Sequence, residues 1–364
     1  MNLFSIFSIQ NQYHLTQDFT DIKKKDIKFH FKQICDYLLE KKISCIYCKI
    51  FLQDLSLLDD LIVAFKRTGQ DPILIPLEYQ SVSGSVMSGI HLFGIHSDEL
   101  NKFEHTTTSG GGCVCYTYRG LRYYHGKYAF QNSFDAFAFC QSSLLRCGLN
   151  PTTLIRTWFY LDHIFKNYSD FNVTRNNFFD TNGICYDRNS PDLPASTCIE
   201  GSFSGKHIMQ LYAVDLTESN AVKRRIYNIL QNEAEGDQYL YQPAFSRAML
   251  LDNGCHVELQ ISGTASIGVE GKTLYENNPY QQIRTTLKNV FSLLQEAGMS
   301  WEHLCECTMF FTNANMYGLF KKACDDLQIE HPKGVRVISH VCRKNLLFEM
   351  DGIAKRNKGN RNEI

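Results

Sequence analysis

Apolar positions along the chain switch period three times in the same order. Strand-like runs occupy residues 43–54, 154–162 and 304–312, and each gives way to a stretch with apolar residues three and four apart, at 55–65, 168–179 and 315–327. An amphipathic helix precedes each run, at 24–40, at 133–147, and where Leu287, Val290, Phe291 and Leu294 share one face before Gly298 supplies a stop. Apolar strands follow at 73–77 and 88–95, at 207–214, and at 335–341 and 346–354. The order strands, helix, strand, helix, strands predicts an α+β unit, a mixed sheet with two helices on one face. Three such units in one chain are expected to close around a pseudo-threefold axis, burying sheet faces that would otherwise stay wet.

Unit boundaries follow from composition. The Gly- and Thr-rich residues 106–112 read as a linker and the polar residues 231–238 as a second join, giving units at 1–105, 106–235 and 236–355 and a polar tail at 356–364. A pseudo-trimer satisfies threefold symmetry within one chain, so a monomer is expected.

At 364 residues the chain exceeds what one core usually serves. Its 37 basic and 38 acidic residues are scattered, leaving no groove for nucleic acid and no patch for an anionic membrane. No apolar stretch is long enough for a membrane span, and the N-terminus lacks a signal-peptide pattern, which predicts a soluble cytoplasmic protein. The 14 cysteines are dispersed through strands and helices, so reduced, buried thiols are expected rather than disulfides. Cys45 and Cys48 are three apart in a strand and should face opposite sides, whereas Cys113/Cys115 and Cys305/Cys307 should share a face. None has the companions of a zinc site, so no metal is predicted.

One charged pair stands out near the C-terminus. The strand at 335–341 carries Arg336, and after a turn at Arg343-Lys344-Asn345 the run Leu346-Leu347-Phe348 leads into Glu349. Antiparallel pairing across that turn would set Arg336 and Glu349 on neighbouring strands facing one cleft. Taken alone, such a pair more often forms a structural ion pair.

Residues 241–355 resemble the RidA/YjgF family of L-PSP-type endoribonuclease-like proteins, on Pro243-Ala244-Phe245-Ser246, Ser262-Gly263, Phe310-Phe311-Thr312, Arg336 and Glu349. The middle of the chain is similar to the chorismatases, which join RidA-type, chorismate-mutase-like units and remove pyruvate from chorismate without a cofactor. The residues that carry this likeness are Arg156-Thr157-Trp158-Phe159-Tyr160-Leu161, Tyr168, Phe171, Arg175 and Leu193-Pro194-Ala195-Ser196-Thr197, together with Ile261-Ser262-Gly263-Thr264-Ala265-Ser266. Phe245 stands where a tyrosine is usual and Cys198 where a glycine is expected, and Tyr275-Glu276-Asn277-Asn278 replaces a His-Pro-Gly-Asp-like turn.

The resemblance implies a small-molecule substrate such as chorismate, a dicarboxylate with an enol ether. Arg336 would hold one carboxylate, and Arg156 or Arg247 the other, through bidentate guanidinium contacts. Glu349, flanked by Phe348 and Met350, would stay protonated through burial and act as general acid, giving a hydroxybenzoate or a dihydroxycyclohexadiene carboxylate. Tyr212, Ser262 and the Gly263 backbone would bond the ring hydroxyl or a carboxylate. Arg175 reads as a solvated or interdomain arginine. Gln210 would take the place of Glu349 in the second unit and Ser196 a place near that of Arg336, leaving one active cleft per chain. Two alternatives remain open: a RidA-like imine or enamine deaminase, and a non-catalytic metabolite-binding protein.

Overall fold

The computed structural model describes residues 4–107, 110–184, 192–217, 220–226, 244–268 and 270–358. In its first part β1 (Ser5–Ile9) and β2 (Gln12–Asp18) form a hairpin, α1 (Lys24–Glu40) leads to β3 (Ile43–Leu52), α2 (Ser56–Arg67) leads to β4 (Ile73–Glu78), and the short β5 (Gln80–Ser81) precedes β6 (Met87–His96). The second part repeats this plan. It has β7 (Asn101–Thr107), β8 (Gly111–Tyr118), β9 (Leu121–Phe130), α3 (Ser133–Arg146), β10 (Leu154–Leu161), α4 (Ile164–Thr181), β11 (Ala195–Glu200) and β12 (His207–Asp215). The third has β13 (Val222–Ile226), β14 (Ala248–Asp252), β15 (His256–Ala265), α5 (Pro279–Glu296), β16 (Leu304–Phe311), α6 (Met316–Asp326), β17 (Val335–Ile338) and β18 (Phe348–Asn357).

The helices form where apolar residues recur on one stripe. In α1, Ile27, Phe31, Ile34 and Leu38 are buried, and α5 starts on Pro279 with the Asn278 side chain accepting from the Gln281 N–H. Gly298, at φ +66°, ends α5 in the left-handed region where a side chain would be strained.

Three sheets result, ordered β1-β2-β6-β3-β4, β11-β10-β12-β9-β8-β7 and β13-β14-β15-β18-β16-β17-β5. Each sheet buries one face under its own two helices, with separate apolar cores beneath α1/α2, α3/α4 and α5/α6. The opposite faces meet in one shared core to which all three contribute, including Phe51, Tyr160 and Phe310. This is the three-unit α+β architecture that the periodicity predicts.

Register makes the repeat quantitative. A β-bulge interrupts the pairing at the same place in each sheet, between Cys45 and Tyr47, between Leu154 and Arg156, and between Leu304 and Glu306. Counting from it, Tyr47, Arg156 and Glu306 are equivalent. So are Lys49, Trp158 and Thr308, and likewise His91, Gln210 and Asp351. The axis-facing layer is therefore polar as well as apolar. Lys49 pairs with Glu306 at 2.7 Å, Tyr47 donates its hydroxyl to Glu306 at 2.8 Å, and Lys355 pairs with Glu258 at 2.8 Å, all buried. Burial alone would raise the Glu306 carboxyl, but Lys49 and the neighbouring histidines hold it well below the usual range.

The bulges overturn two of the cysteine expectations. Cys45 and Cys48 both lie in the core beneath α1 and α2, because the extra residue between them restores the same facing. Cys305 faces the shared core and Cys307 the helices for the same reason. Cys113 and Cys115 share a face as expected. Two boundaries also move. β7 begins at Asn101 and pairs with β8, so residues 101–105 join the second sheet, and much of the supposed linker is a hairpin. β18 runs to Asn357 with Lys355 buried, so the tail starts later than 356, while the expected join at 231–238 and residues 359–364 lie outside the described residues. Among the described residues no helix is long and apolar enough to cross a membrane.

The units are stitched at their edges. β5 adds to β17, which gives the third sheet a strand from the first part of the chain. The Tyr79 hydroxyl donates to the Glu200 carbonyl at 2.6 Å, and Ser339 donates to the same oxygen at 2.8 Å. Tyr79→Phe is expected to cost about 1 kcal/mol, since Ser339 still satisfies the carbonyl. A urea midpoint lowered with unchanged slope would show it; an unchanged midpoint would mean the bond contributes nothing.

Candidate active site

Glu349 is the second residue of β18, opposite Phe310 of β16 and Ala265 of β15, and its side chain points to the shared core with 4% of its surface exposed. Room for its carboxyl comes from a second irregularity, a register shift in β15 between Ile261 and Thr264 that contains Gly263. A Cβ on Gly263 would stand 2.0 Å from Glu349 Oε1 and 3.4 Å from the Thr197 methyl. Gly263→Ala is expected to displace the carboxyl and lower turnover by about 10–100-fold with little change in melting temperature. Unaltered turnover would mean that the carboxyl position is not critical.

Two residues on, Asp351 faces the same way and gathers a network from the second unit. Arg156 Nη2 donates to Asp351 Oδ2 at 3.2 Å and to Thr197 Oγ1 at 2.6 Å; Thr197 Oγ1 donates to Asp351 Oδ2 at 2.8 Å, and Trp158 Nε1 to the same oxygen at 3.1 Å. Arg156 is fully buried, lies over the Trp158 ring at 4.7 Å, and keeps Nε and Nη1 without hydrogen-bond partners among the described residues. Burial pulls its guanidinium down to about 10 against the pull of Asp351. Glu349 is pushed up to about 8, first by burial and then by the Asp351 charge, with Arg156 and Arg247 opposing. At neutral pH it carries its proton.

Around Glu349 the second and third units meet. The Ala195 backbone bridges to Ser246, and Ser262 Oγ donates to the Ser246 carbonyl at 2.6 Å while accepting from the Ser196 N–H at 2.8 Å. Arg247 lies over the Phe245 ring at 5.4 Å. Arg175 is not solvated: it is 5% exposed, lies over the Phe171 ring at 5.7 Å, and its charge reaches Cys198. Burial raises the Cys198 and Cys342 thiols, the latter to about 12, so neither is a thiolate at neutral pH.

The structure separates Arg336 from Glu349. β16 lies between β17 and β18, since the closing strand pairs with the older neighbour rather than across the short turn. Arg336 is in register with Met309 and Glu349 with Phe310, so the two side chains leave opposite faces. Arg336 instead pairs with Asp18 of the first unit and lies 5.0 Å over the Tyr317 ring. Tyr212 is likewise elsewhere. It stacks on His125 at 4.7 Å beside Glu258, Gln260 and Lys355 around a small axial void. Ser262 spends both its bonds on backbone at the unit interface. Of the expected residues, Glu349, Arg156, Arg247 and Gly263 converge. Asp351, Thr197 and Arg175 join them; the spacing Glu349-x-Asp351 puts two carboxyls on one strand face and was the available signal.

A solved chorismatase structure superposes along 96% of this chain and 99% of its own, with TM-score 0.61 and 17% sequence identity. The fold is that of a chorismatase, built from three RidA/YjgF-like units. Residues 243–356 match the family model described as Endoribonuclease L-PSP. Shorter structures match part of the chain. A putative endoribonuclease L-PSP from Entamoeba histolytica covers 37% of this chain and 100% of its own at 20% identity and TM-score 0.30. A Rid-family protein of unknown function from Yersinia pestis covers 36% and 98% at 26% identity and TM-score 0.29. Among curated proteins none matches the sequence significantly.

Within the chorismatase-like fold the three possible clefts are unequal. By register the place of Glu349 is taken by Ile208 in the second unit and Gly89 in the first, while Gln210 corresponds to Asp351. The place of Arg336 is taken by Cys198 and Pro76, and Ser196 corresponds to a position two residues earlier. Only the cleft between the second and third units carries a carboxylic acid at that position.

Proposed function

We propose that the protein removes pyruvate from chorismate or a closely similar enolpyruvyl dicarboxylate, with Glu349 as general acid. The observation that carries this reading is a buried glutamic acid, protonated at neutral pH, set among arginines where two units meet. Glu349 would protonate the terminal methylene of the enol ether, making a methyl group and an oxocarbenium centre on the adjacent carbon. Water adds there to give a hemiketal; the bond between that carbon and the ether oxygen then breaks, the hemiketal hydroxyl passes its proton to the ether oxygen, which stays on the ring as a hydroxyl, and pyruvate leaves. The proton released by the attacking oxygen restores Glu349.

Arg247 and Arg175 are the proposed anchors for the two carboxylates, the planar fork of each fixing the substrate against the acid. Arg156 holds Asp351, and its Nε and Nη1 make no hydrogen bond among the described residues. Arg336 has no part in this scheme.

The test is pyruvate formation from chorismate, followed by coupled reduction with lactate dehydrogenase. Release should be rapid near pH 7 and decline as pH rises through about 8, where Glu349 loses its proton. No pyruvate from well-folded protein would defeat the proposal and favour hydrolysis of an imine or enamine at the same acid.

A further inference from the structure

The seam between the second and third units carries two cysteines that the proposed reaction does not use. Ile199 of β11 bridges antiparallel to Val341, and the Glu200 N–H donates to the His340 carbonyl at 3.0 Å. One step along that pairing sets Cys198 opposite Cys342, one cysteine from each unit, and both pack against the apolar core beneath α3 and α4. Opposed residues of antiparallel strands stand about 4.5–5.5 Å apart at Cα, inside the roughly 4.4–6.8 Å that a disulfide spans. Both cysteines also keep partial exposure. Among the described residues the other cysteines are buried, except Cys255 in the turn between β14 and β15.

Register and charge give the pair its setting. Cys198 pairs with Phe159 as Arg336 pairs with Met309, so it holds in the second unit the position of Arg336 in the third. The Glu349 carboxyl acts on both thiols, which sets them near the proposed acid. Burial keeps both groups protonated at neutral pH, but Arg175 opposes this at Cys198, and Arg343 and the Tyr168 hydroxyl oppose it at Cys342. Each sulfur therefore has a guanidinium to stabilise its thiolate once it forms.

We infer that Cys198 and Cys342 form a redox clasp: a low-molecular-weight disulfide such as glutathione disulfide converts them to a bond that ties β11 of the second unit to the segment after β17 of the third. One protein thiolate attacks a sulfur of glutathione disulfide and releases one glutathione thiolate. The second attacks the protein sulfur of that mixed disulfide and releases the other. The two cysteines lose two protons and two electrons, and glutathione disulfide is reduced to two thiols. The assignment does not depend on the reaction proposed above, because the bond is detected without substrate.

The full chain is incubated with glutathione disulfide at pH 7, 8 and 9, free thiols are blocked, and peptides are mapped by mass spectrometry without reduction. A Cys198–Cys342 linkage is expected, forming about tenfold faster for each pH unit because the thiolate is the attacking species. It should be absent in Cys198→Ser and in Cys342→Ser and retained in Cys255→Ser. The oxidised parent protein should melt at least about 3 °C above its reduced form, and dithiothreitol should reverse the gain. Four results would overturn the assignment: no linkage in the folded parent protein, glutathione adducts that persist without closing, a linkage formed only in denaturant, or an oxidised form that melts lower.

Discussion

Glu349→Gln is expected to lower pyruvate release from chorismate by about 100–10,000-fold, the range associated with a positioned general acid, while the protein stays folded. The amide fills the same space under Gly263 but has no acidic proton to give. Stability supplies a second readout. Burial raises the carboxyl from 4.5 to about 8, so the folded state binds the proton more tightly than the unfolded chain. Its favourable contribution is complete below about pH 4.5 and is lost as pH rises through about 8. The Gln variant never ionises there, and above pH 8 it should be the more stable protein by a few kcal/mol. A variant that is inactive yet no more stable at alkaline pH would mean that Glu349 is not the buried acid described.

Arg156→Ala is expected to destabilise the protein by about 3–5 kcal/mol and to abolish turnover with it. The guanidinium is the positive partner of Asp351, and removing it leaves a buried carboxylate whose remaining donors among the described residues are Thr197 and Trp158. That charge would also push the Glu349 carboxyl higher, since Arg156 is the first of the groups that hold it down. Lost activity in this variant therefore does not by itself identify a substrate contact. Removing the charge from both sides, as Arg156→Met with Asp351→Leu, should recover most of the stability; chemical denaturation of the two variants would show it. Equal stability of Arg156→Ala and the parent would mean the ion pair adds nothing.

Much of the fold was legible because helices announce themselves over many residues. The stripe Ile27, Phe31, Ile34, Leu38 and the Gly298 stop gave α1 and the end of α5 closely. Facing directions failed where one residue was inserted. The bulges before Tyr47 and Glu306 reverse the alternation, and no residue type at these sites advertises them. Strand order failed for a different reason. Arg336 and Glu349 are near in sequence and joined by a short turn, but β16, from some distance upstream, inserts between their strands, and only tertiary pairing decides that. The burial of Glu349 was legible from its apolar flanks, Phe348 and Met350. Arg175 was not, because its helix has polar residues all along it and burial comes from contacts with other elements.

One position repeated around the axis is filled by Tyr47, Arg156 and Glu306. In a trimer of identical chains that position would hold three copies of a single residue. Three glutamates there, or three arginines, would crowd like charge into a dry interior, where repulsion is strongest. Joining the copies end to end removes the obligation: a base, an acid and a phenol can share the axis, and a substitution strikes once rather than three times. One cleft can then carry an acid while its counterpart lacks one, so the repeated fold sets the shape of the protein without dictating its chemistry.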